Sequence, residues 1–138
     1  MALYPYLSLP NTTREAMTRY QEILGGELEI LTAADLPPGE EMPFEAPGDF
    51  VINAALTFGD GDLLMASDDP QAEATVKGAS LNITLADQVE ARRIFEALAE
   101  GGTVTMALDE TFWSPLFGTC VDEFGVSWMV NVEPDAAA

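Results

Sequence analysis

The side chains able to do chemistry in this chain are nearly all carboxylates. Its 138 residues include 24 Asp and Glu against five Lys and Arg, a single cysteine, Cys120, and no histidine. Without histidine there is no imidazole to hold a metal, to act as a general base near neutral pH, or to activate a serine or cysteine nucleophile. Cys120 alone closes no intramolecular disulfide and builds no multi-cysteine zinc site. With no Lys or Arg near it in sequence, it reads as a small buried strand residue rather than a reactive thiolate. Carboxylate chemistry survives: Asp109, Glu110 or Asp122 as a general base, with Tyr4 or Tyr6 as an acid or hydrogen-bond donor. A metal on oxygen ligands also survives, with Asp68 and Asp69 as the local pair, although a solvated hairpin or loop end is the plainer reading of that pair. No stretch has the spacing of an EF-hand loop.

The formal net charge of −19 argues against a nucleic acid partner, because affinity there comes from Lys and Arg neutralising phosphates. An anionic membrane surface is disfavoured for the same reason. No run approaches 18 apolar residues, and the first residues lack the basic, apolar, small-residue order of a signal peptide, so a cytoplasmic location without a membrane partner is expected. The acids are scattered (Glu27, Glu29, Asp35, Glu40, Glu41 and onward), as on a solvated surface. That suits an ordinary acidic protein, or one adapted to a high-salt cytoplasm in which salt screens carboxylate repulsion.

The elements that must position these groups occur twice. From Leu3 to Leu9, Tyr4, Tyr6 and Ser8 alternate with Pro5, Leu7 and Leu9, predicting a strand with two unlike faces. Thr12 and Glu15 fit a capping box, Ala16, Met17, Tyr20, Ile23 and Leu24 recur at helical spacing, and Gly25-Gly26 closes that helix. Strands are predicted over 27–32, 51–58 and 63–67, with a long Pro/Gly-rich loop over 37–48 and a hairpin turn over 59–62. The second half repeats the order. It has a strand over 80–85, a capping pair of Asp87 and Glu90, and a helix marked by Val89, Ala91, Ile94, Phe95 and Leu98. Gly101-Gly102 follows, then strands near 103–108, 118–121 and 126–132. Leu9 thus corresponds to Leu85, Gly25-Gly26 to Gly101-Gly102, and 61–67 to 125–131. A period above 50 residues means a duplicated module: an α+β domain over 1–138, built of module 1–70 and module 78–134, with 135–138 as a disordered tail.

A β-α-β-β-β unit occurring twice resembles the vicinal oxygen chelate superfamily of glyoxalases, bleomycin-resistance proteins and extradiol dioxygenases. Pro5-Tyr6-Leu7-Ser8-Leu9, Ala16 and Tyr20, then Glu110-Thr111-Phe112-Trp113, Phe117-Gly118, Asp122-Glu123-Phe124-Gly125 and Trp128-Met129-Val130-Asn131 resemble its PhnB-like branch. The match runs in order along nearly the whole chain, and the two tryptophan segments are its specific part. The resemblance implies a mixed sheet curled into a U-shaped trough, usually completed in a homodimer. It also implies metal ligands on the first and last strands of each module. Carried across, those slots fall on Tyr4 (or Pro5), Met65, Ser80 and Met129, a poor donor set for zinc, nickel, iron or manganese. Since glyoxalase and dioxygenase chemistry uses the metal as a Lewis acid, that chemistry and any cofactor are not expected. A methyltransferase assignment, sometimes given to such chains, finds no Gly-rich strand-to-helix turn.

If Leu7, Leu9, Leu81, Ile83 and Leu85 cover the helices, alternation turns Tyr4, Tyr6, Ser8, Ser80, Asn82 and Thr84 the other way, with Met65, Ser67, Ser127, Met129 and Asn131. The expected trough lining is Tyr4, Tyr6, Ser8, Met65, Ser80, Asn82, Trp113, Phe117, Met129 and Asn131. This mixture of rings, thioethers, hydroxyls and amides suits a small, partly apolar organic molecule. Plain packing remains the alternative for the tyrosines and methionines. Trp113, Phe112 and Phe117 fit a wall over a ligand, or a plug for the sheet end or dimer contact. Two functions stay open: a metal-independent binding protein, and a lyase, isomerase or dioxygenase-like enzyme with metal-free or non-standard metal chemistry.

Overall fold

The structure, a computed structural model, describes residues 1–134. The tail expected over 135–138 lies outside the described residues. The chain divides into two compact units, one over 1–74 and one from Thr75 onward. The first contains β1 (Tyr6–Leu9), α1 (Thr13–Leu24), β2 (Glu27–Thr32), β3 (Val51–Phe58) and β4 (Asp62–Asp68). The second contains β5 (Leu81–Leu85), α2 (Gln88–Ala99), β6 (Thr103–Asp109), β7 (Phe117–Val121) and β8 (Ser127–Val132). β1 and β5 begin later than alternation suggested, so Tyr4 and Ser80 precede their strands.

Each unit forms its own four-stranded mixed sheet, ordered β1-β4-β3-β2 in the first and β5-β8-β7-β6 in the second. The first strand of each unit runs parallel to its last, and the remaining ladders are antiparallel. A parallel partner cannot be reached by a hairpin, so the helix lies within the long connection that separates the two strands. This corrects the expected architecture, because no single sheet curls into a U-shaped trough. Each sheet draws its strands from one unit and ends at two edge strands, and neither is strongly curled or closed. Four strands twisted by roughly 20–25° per neighbour make an open twisted sheet, whereas closure takes about eight.

One helix covers one face of each sheet. In α1, Ala16, Met17, Tyr20 and Ile23 are buried, and the strands offer them Leu7, Leu9, Ala54, Leu56, Leu64 and Ala66, all buried. In α2, Ala91, Ile94, Phe95 and Leu98 are buried, with Cys120, Trp128, Val130 and Val132 of β7 and β8 buried in the same unit. The Gly-Gly pairs after the helices serve two purposes. Gly25 and Gly101 each adopt a φ of +77°, in the left-handed region that glycine enters without strain. At Gly26 and Gly102 a Cβ would run into the Thr57 and Val121 carbonyl oxygens, at the ends of β3 and β7.

Capping differs between the two helices. Asp87 Oδ1 accepts the Val89 and Glu90 N–H groups at 2.9 and 3.3 Å, as an N-cap should, while Glu90 pairs with Arg93. At α1 the expected box does not form, since the Thr12 side chain makes no capping bond. Asp68, from the end of β4, takes that place: its Oδ1 accepts the Thr13 N–H at 3.1 Å and its Oδ2 the Val51 N–H at 2.9 Å. A capping box forms instead at Thr32 and Asp35. Hydrogen bonds from Thr32 hold the Asp35 carboxyl below its ordinary range. Asp68→Ala is therefore expected to lower unfolding free energy by about 1–3 kcal/mol, because it leaves two part-buried N–H groups unpaired. Thr12→Ala should change it by less than about 0.5 kcal/mol. Urea unfolding of both variants checks this.

Candidate functional site

The helix-free face of the second sheet gathers most of the neutral polar groups. Ladder partners share a face. Asn82 stands opposite Met129 and Met129 opposite Thr119, while Thr84 stands opposite Asn131 and Asn131 opposite Phe117. Along β8, these residues alternate with buried Trp128, Val130 and Val132. Asn82 Nδ2 donates to Thr84 Oγ1 at 2.8 Å, and the Thr105 and Thr119 hydroxyls lie 2.6 Å apart. The Asn131 amide oxygen is buried and has no hydrogen-bond partner.

Aromatic rings close one end of this face. Phe112 packs edge-on against Trp113 with centroids 4.8 Å apart, and Trp113 against Phe117 at 5.3 Å. Their loop is anchored: Ser114 N–H donates to Thr111 Oγ1 at 3.1 Å, and the buried Ser114 hydroxyl donates to the Val132 carbonyl at 2.7 Å. Beside the loop lies a groove of about 660 Å³, lined among others by Gln88, Glu110, Phe112, Trp113 and Glu133.

In the first unit, the helix-free face pairs Tyr6 with Met65 and Ser8 with Ser67. The Tyr6 hydroxyl donates to Asn53 Oδ1 at 3.2 Å, and half the ring is exposed. Leu9 opposite Asp68 and Leu85 opposite Val132 fix the same phase in both units. Tyr6 with Met65 and Asn82 with Met129 are thus equivalent pairs. Tyr4 (or Pro5) and Ser80, which the resemblance put in the first-strand metal slots, lie ahead of these pairs, Tyr4 and Ser80 by two residues each. Thr119 and Asn53 were missed by the sequence reading. Their alternation with buried Cys120 and Ala54 was the available signal.

The acids do not assemble a site. Among the described residues, no group of three or more His, Cys, Asp or Glu is placed to hold a metal ion. A phenol, an amide and two thioethers do not fit a divalent cation either, so no step through a metal is derived. Asp122, a candidate base, is a buried structural anchor. Its Oδ1 accepts the Phe124 and Val126 N–H groups at 2.9 and 3.0 Å, and its Oδ2 the Trp128 indole N–H at 2.8 Å. Asp109 accepts the Glu110 N–H at 2.8 Å. Asp68 is committed to the helix cap already described. Burial, and then the charge of Asp122, pushes the Cys120 thiol up to about 11.

Two units of β-α-β-β-β, each with its first strand parallel to its last, define a protein of the vicinal oxygen chelate class. Residues 2–131 match the sequence family described as 3-demethylubiquinone-9 3-methyltransferase. The chain is 33% identical to protein YjdN of Escherichia coli K12, over 96% of this chain and 95% of that protein. The crystal structure of protein PA1353 from Pseudomonas aeruginosa is 41% identical, with a TM-score of 0.82 over 98% of this chain and 99% of that one. A Bacillus cereus PhnB protein, provisionally named a 3-demethylubiquinone-9 3-methyltransferase, is 26% identical, with a TM-score of 0.73 over 96% and 99%. The chain belongs to this family, the PhnB-like branch of the glyoxalase, bleomycin-resistance and dioxygenase superfamily, and among its described residues it has no metal-binding cluster. Methyl transfer would need a methyl-donor cofactor. The β1-to-α1 turn (Pro10, Asn11, Thr12) and the β5-to-α2 turn (Ala86, Asp87) contain no glycine, so they do not fit a nucleotide-like donor cradled at a Gly-rich turn, and no step through one is derived.

Because the native thiol keeps its proton to higher pH than an unfolded one, the folded state binds the extra proton between about pH 9 and pH 11. Stability therefore falls as pH rises through that window. Cys120→Ala is expected to flatten this part of the stability–pH curve, measured by urea unfolding at pH 8, 9, 10 and 11. In the native wild type at pH 8, iodoacetamide should alkylate Cys120 far more slowly than after unfolding.

Proposed function

We propose that this protein binds a small, partly apolar organic molecule on the helix-free face of its second sheet, without converting it. The observation that carries the reading is the Asn131 amide oxygen, buried without a donor between Thr84 and Phe117 on the ladders. Buried acceptors are rarely left unpaired, and a ligand N–H or O–H would satisfy this one. Asn82, Met129, Trp113 and Phe117 supply neutral contacts around it, and Tyr6, Ser8 and Met65 form the equivalent row in the first unit. Tyr4 and Ser80 extend these rows by one step each. Engagement of Asp122 in the β7–β8 turn supports binding over catalysis, since it removes a candidate base.

The same reading makes the protein a homodimer, supported by Tyr6, Leu31, Val104 and Met106, which the single chain leaves exposed. No helix among the described residues is long and apolar enough to cross a membrane. A cytoplasmic location is supported by the lone buried cysteine, which has no intramolecular partner. The net charge of −19 speaks against nucleic acid.

A thermal-shift screen of neutral organic compounds tests the proposal. A binder at 100 times its Kd should stabilise the fold by about 2.7 kcal/mol. Asn131→Ala should weaken that compound about tenfold while leaving the fold intact. A screen without hits, or hits insensitive to Asn131→Ala, rejects the assignment. Light scattering during size-exclusion chromatography is expected to give twice the mass of the chain.

A further inference from the structure

The groove beside the aromatic loop differs in chemistry from the row of neutral groups through Asn82, Met129 and Asn131. Its lining includes the exposed residues Glu110 and Glu133, the aromatic residues Phe112 and Trp113, and Gln88 from the first turn of α2; no Lys or Arg contributes. Phe112 is 97% and Trp113 44% exposed, an unusual cost for two large rings in a chain whose surface is otherwise rich in carboxylates. The rings are not loose, because the Thr111 and Ser114 hydrogen bonds fix the backbone between them and tie it to the end of β8. No hydrogen bond or ion pair engages the side chain of Glu110 or Glu133 among the described residues.

We infer that this groove is a binding site for an organic cation, a quaternary or alkylated ammonium group that packs on Phe112 and Trp113 and is neutralised by Glu110 and Glu133. Three features select that class. A bare metal ion is disfavoured, since the groove's roughly 660 Å³ far exceeds an ion's coordination sphere and its aromatic walls offer no ligands. An anion is disfavoured by two uncompensated carboxylates within a strongly negative chain. An aromatic face beside a carboxylate is the combination that attracts an alkylammonium, through the ring quadrupole on one side and direct charge on the other. Exposure and salt screening keep the affinity modest, roughly millimolar at low ionic strength. The inference does not rest on the sheet-face reading, because neither glutamate belongs to that face.

The test titrates the full chain with choline and, separately, with 3,3-dimethylbutan-1-ol, the neutral isostere in which carbon replaces the charged nitrogen. Trp113 is half exposed, whereas Trp128 is buried and bonded to Asp122, so a change in tryptophan emission reports Trp113, and its loss in the glutamate double variant but not in Asn131→Ala assigns it to the groove. Calorimetry provides a second readout. Choline is expected to bind at least about tenfold more tightly than its isostere, and to weaken as salt rises. The Glu110→Gln, Glu133→Gln double variant should remove that preference without changing the melting temperature, and Phe112→Ala should weaken choline severalfold. Asn131→Ala should leave choline binding as it was. Equal affinity for choline and the alcohol, no binding of choline, or an equal response to calcium chloride would each overturn the inference.

Discussion

The constraint on which the rest of the structure depends is that each sheet has one helix and therefore one covered face. Burying a leucine-sized side chain stabilises the fold by about 1.5–3 kcal/mol, and buried apolar side chains alternate along β1, β4 and β8 on the face toward α1 or α2. Leu7 and Leu9 fix the phase of β1, and Val130 and Val132 fix that of β8. With that phase set, a one-residue slip would turn the whole apolar row to the other side. The helix-free rows through Tyr6 and Met65, and through Asn82 and Met129, are thus consequences of the core.

Carboxylates then finish what apolar burial begins. The chain carries 24 of them, yet a few do most of the internal structural work. Asp68 ties the starts of α1 and β3 to the end of β4, and Asp122 closes the β7–β8 turn over the Trp128 indole. Both accept backbone N–H groups that would otherwise lose water on burial without compensation. These engaged carboxylates are structural ties, with their oxygens filled by fixed donors. The acids that remain open, such as Glu110 and Glu133, lie at the margin of the fold where they can face a ligand.

Much of this was legible in the sequence, and the exceptions share a physical cause. Alternation in β1, β5 and β8, helical spacing in α1 and α2, and the two Gly-Gly stops are local patterns, and the structure places them where those patterns predict apart from the later starts of β1 and β5. The face assignment of Asn82, Met129 and Asn131 followed from the same periodicity. Thr12 and Glu15 misled because their box was outcompeted by Asp68, a partner 55 residues away in sequence. Asp122 looked like a free base because its three donors come from the turn it closes, two and four residues on, and from an indole six residues on. The curled trough that the family resemblance implied does not form, and the sequence could not decide it: curl is a sum over strand pairs, and the sequence marks the pairs without their accumulated geometry.

The family description names a methyl transfer, and the metal-dependent members of the superfamily hold a metal on their first and last strands, where this chain carries a phenol, an amide and two thioethers. Fold and chemistry part here for a definable reason. The frame is maintained by residues between helix and sheet: Leu9, Tyr20, Phe95, Trp128 and Val132 are buried whatever the opposite face carries. The opposite face pays no such packing constraint, so its residues can change type without disturbing the core. At the equivalent ladder positions of the two units, this chain has a phenol and an amide on the first strands and a thioether on each last strand. At those positions the phenol, amide and thioethers offer shape and hydrogen-bonding groups and coordinate a divalent cation weakly, while Glu29 and Asp109 share the same faces on strands nearer the other edge. The same two-unit frame that could present a charged metal centre therefore presents uncharged side chains at those four ladder positions in this protein.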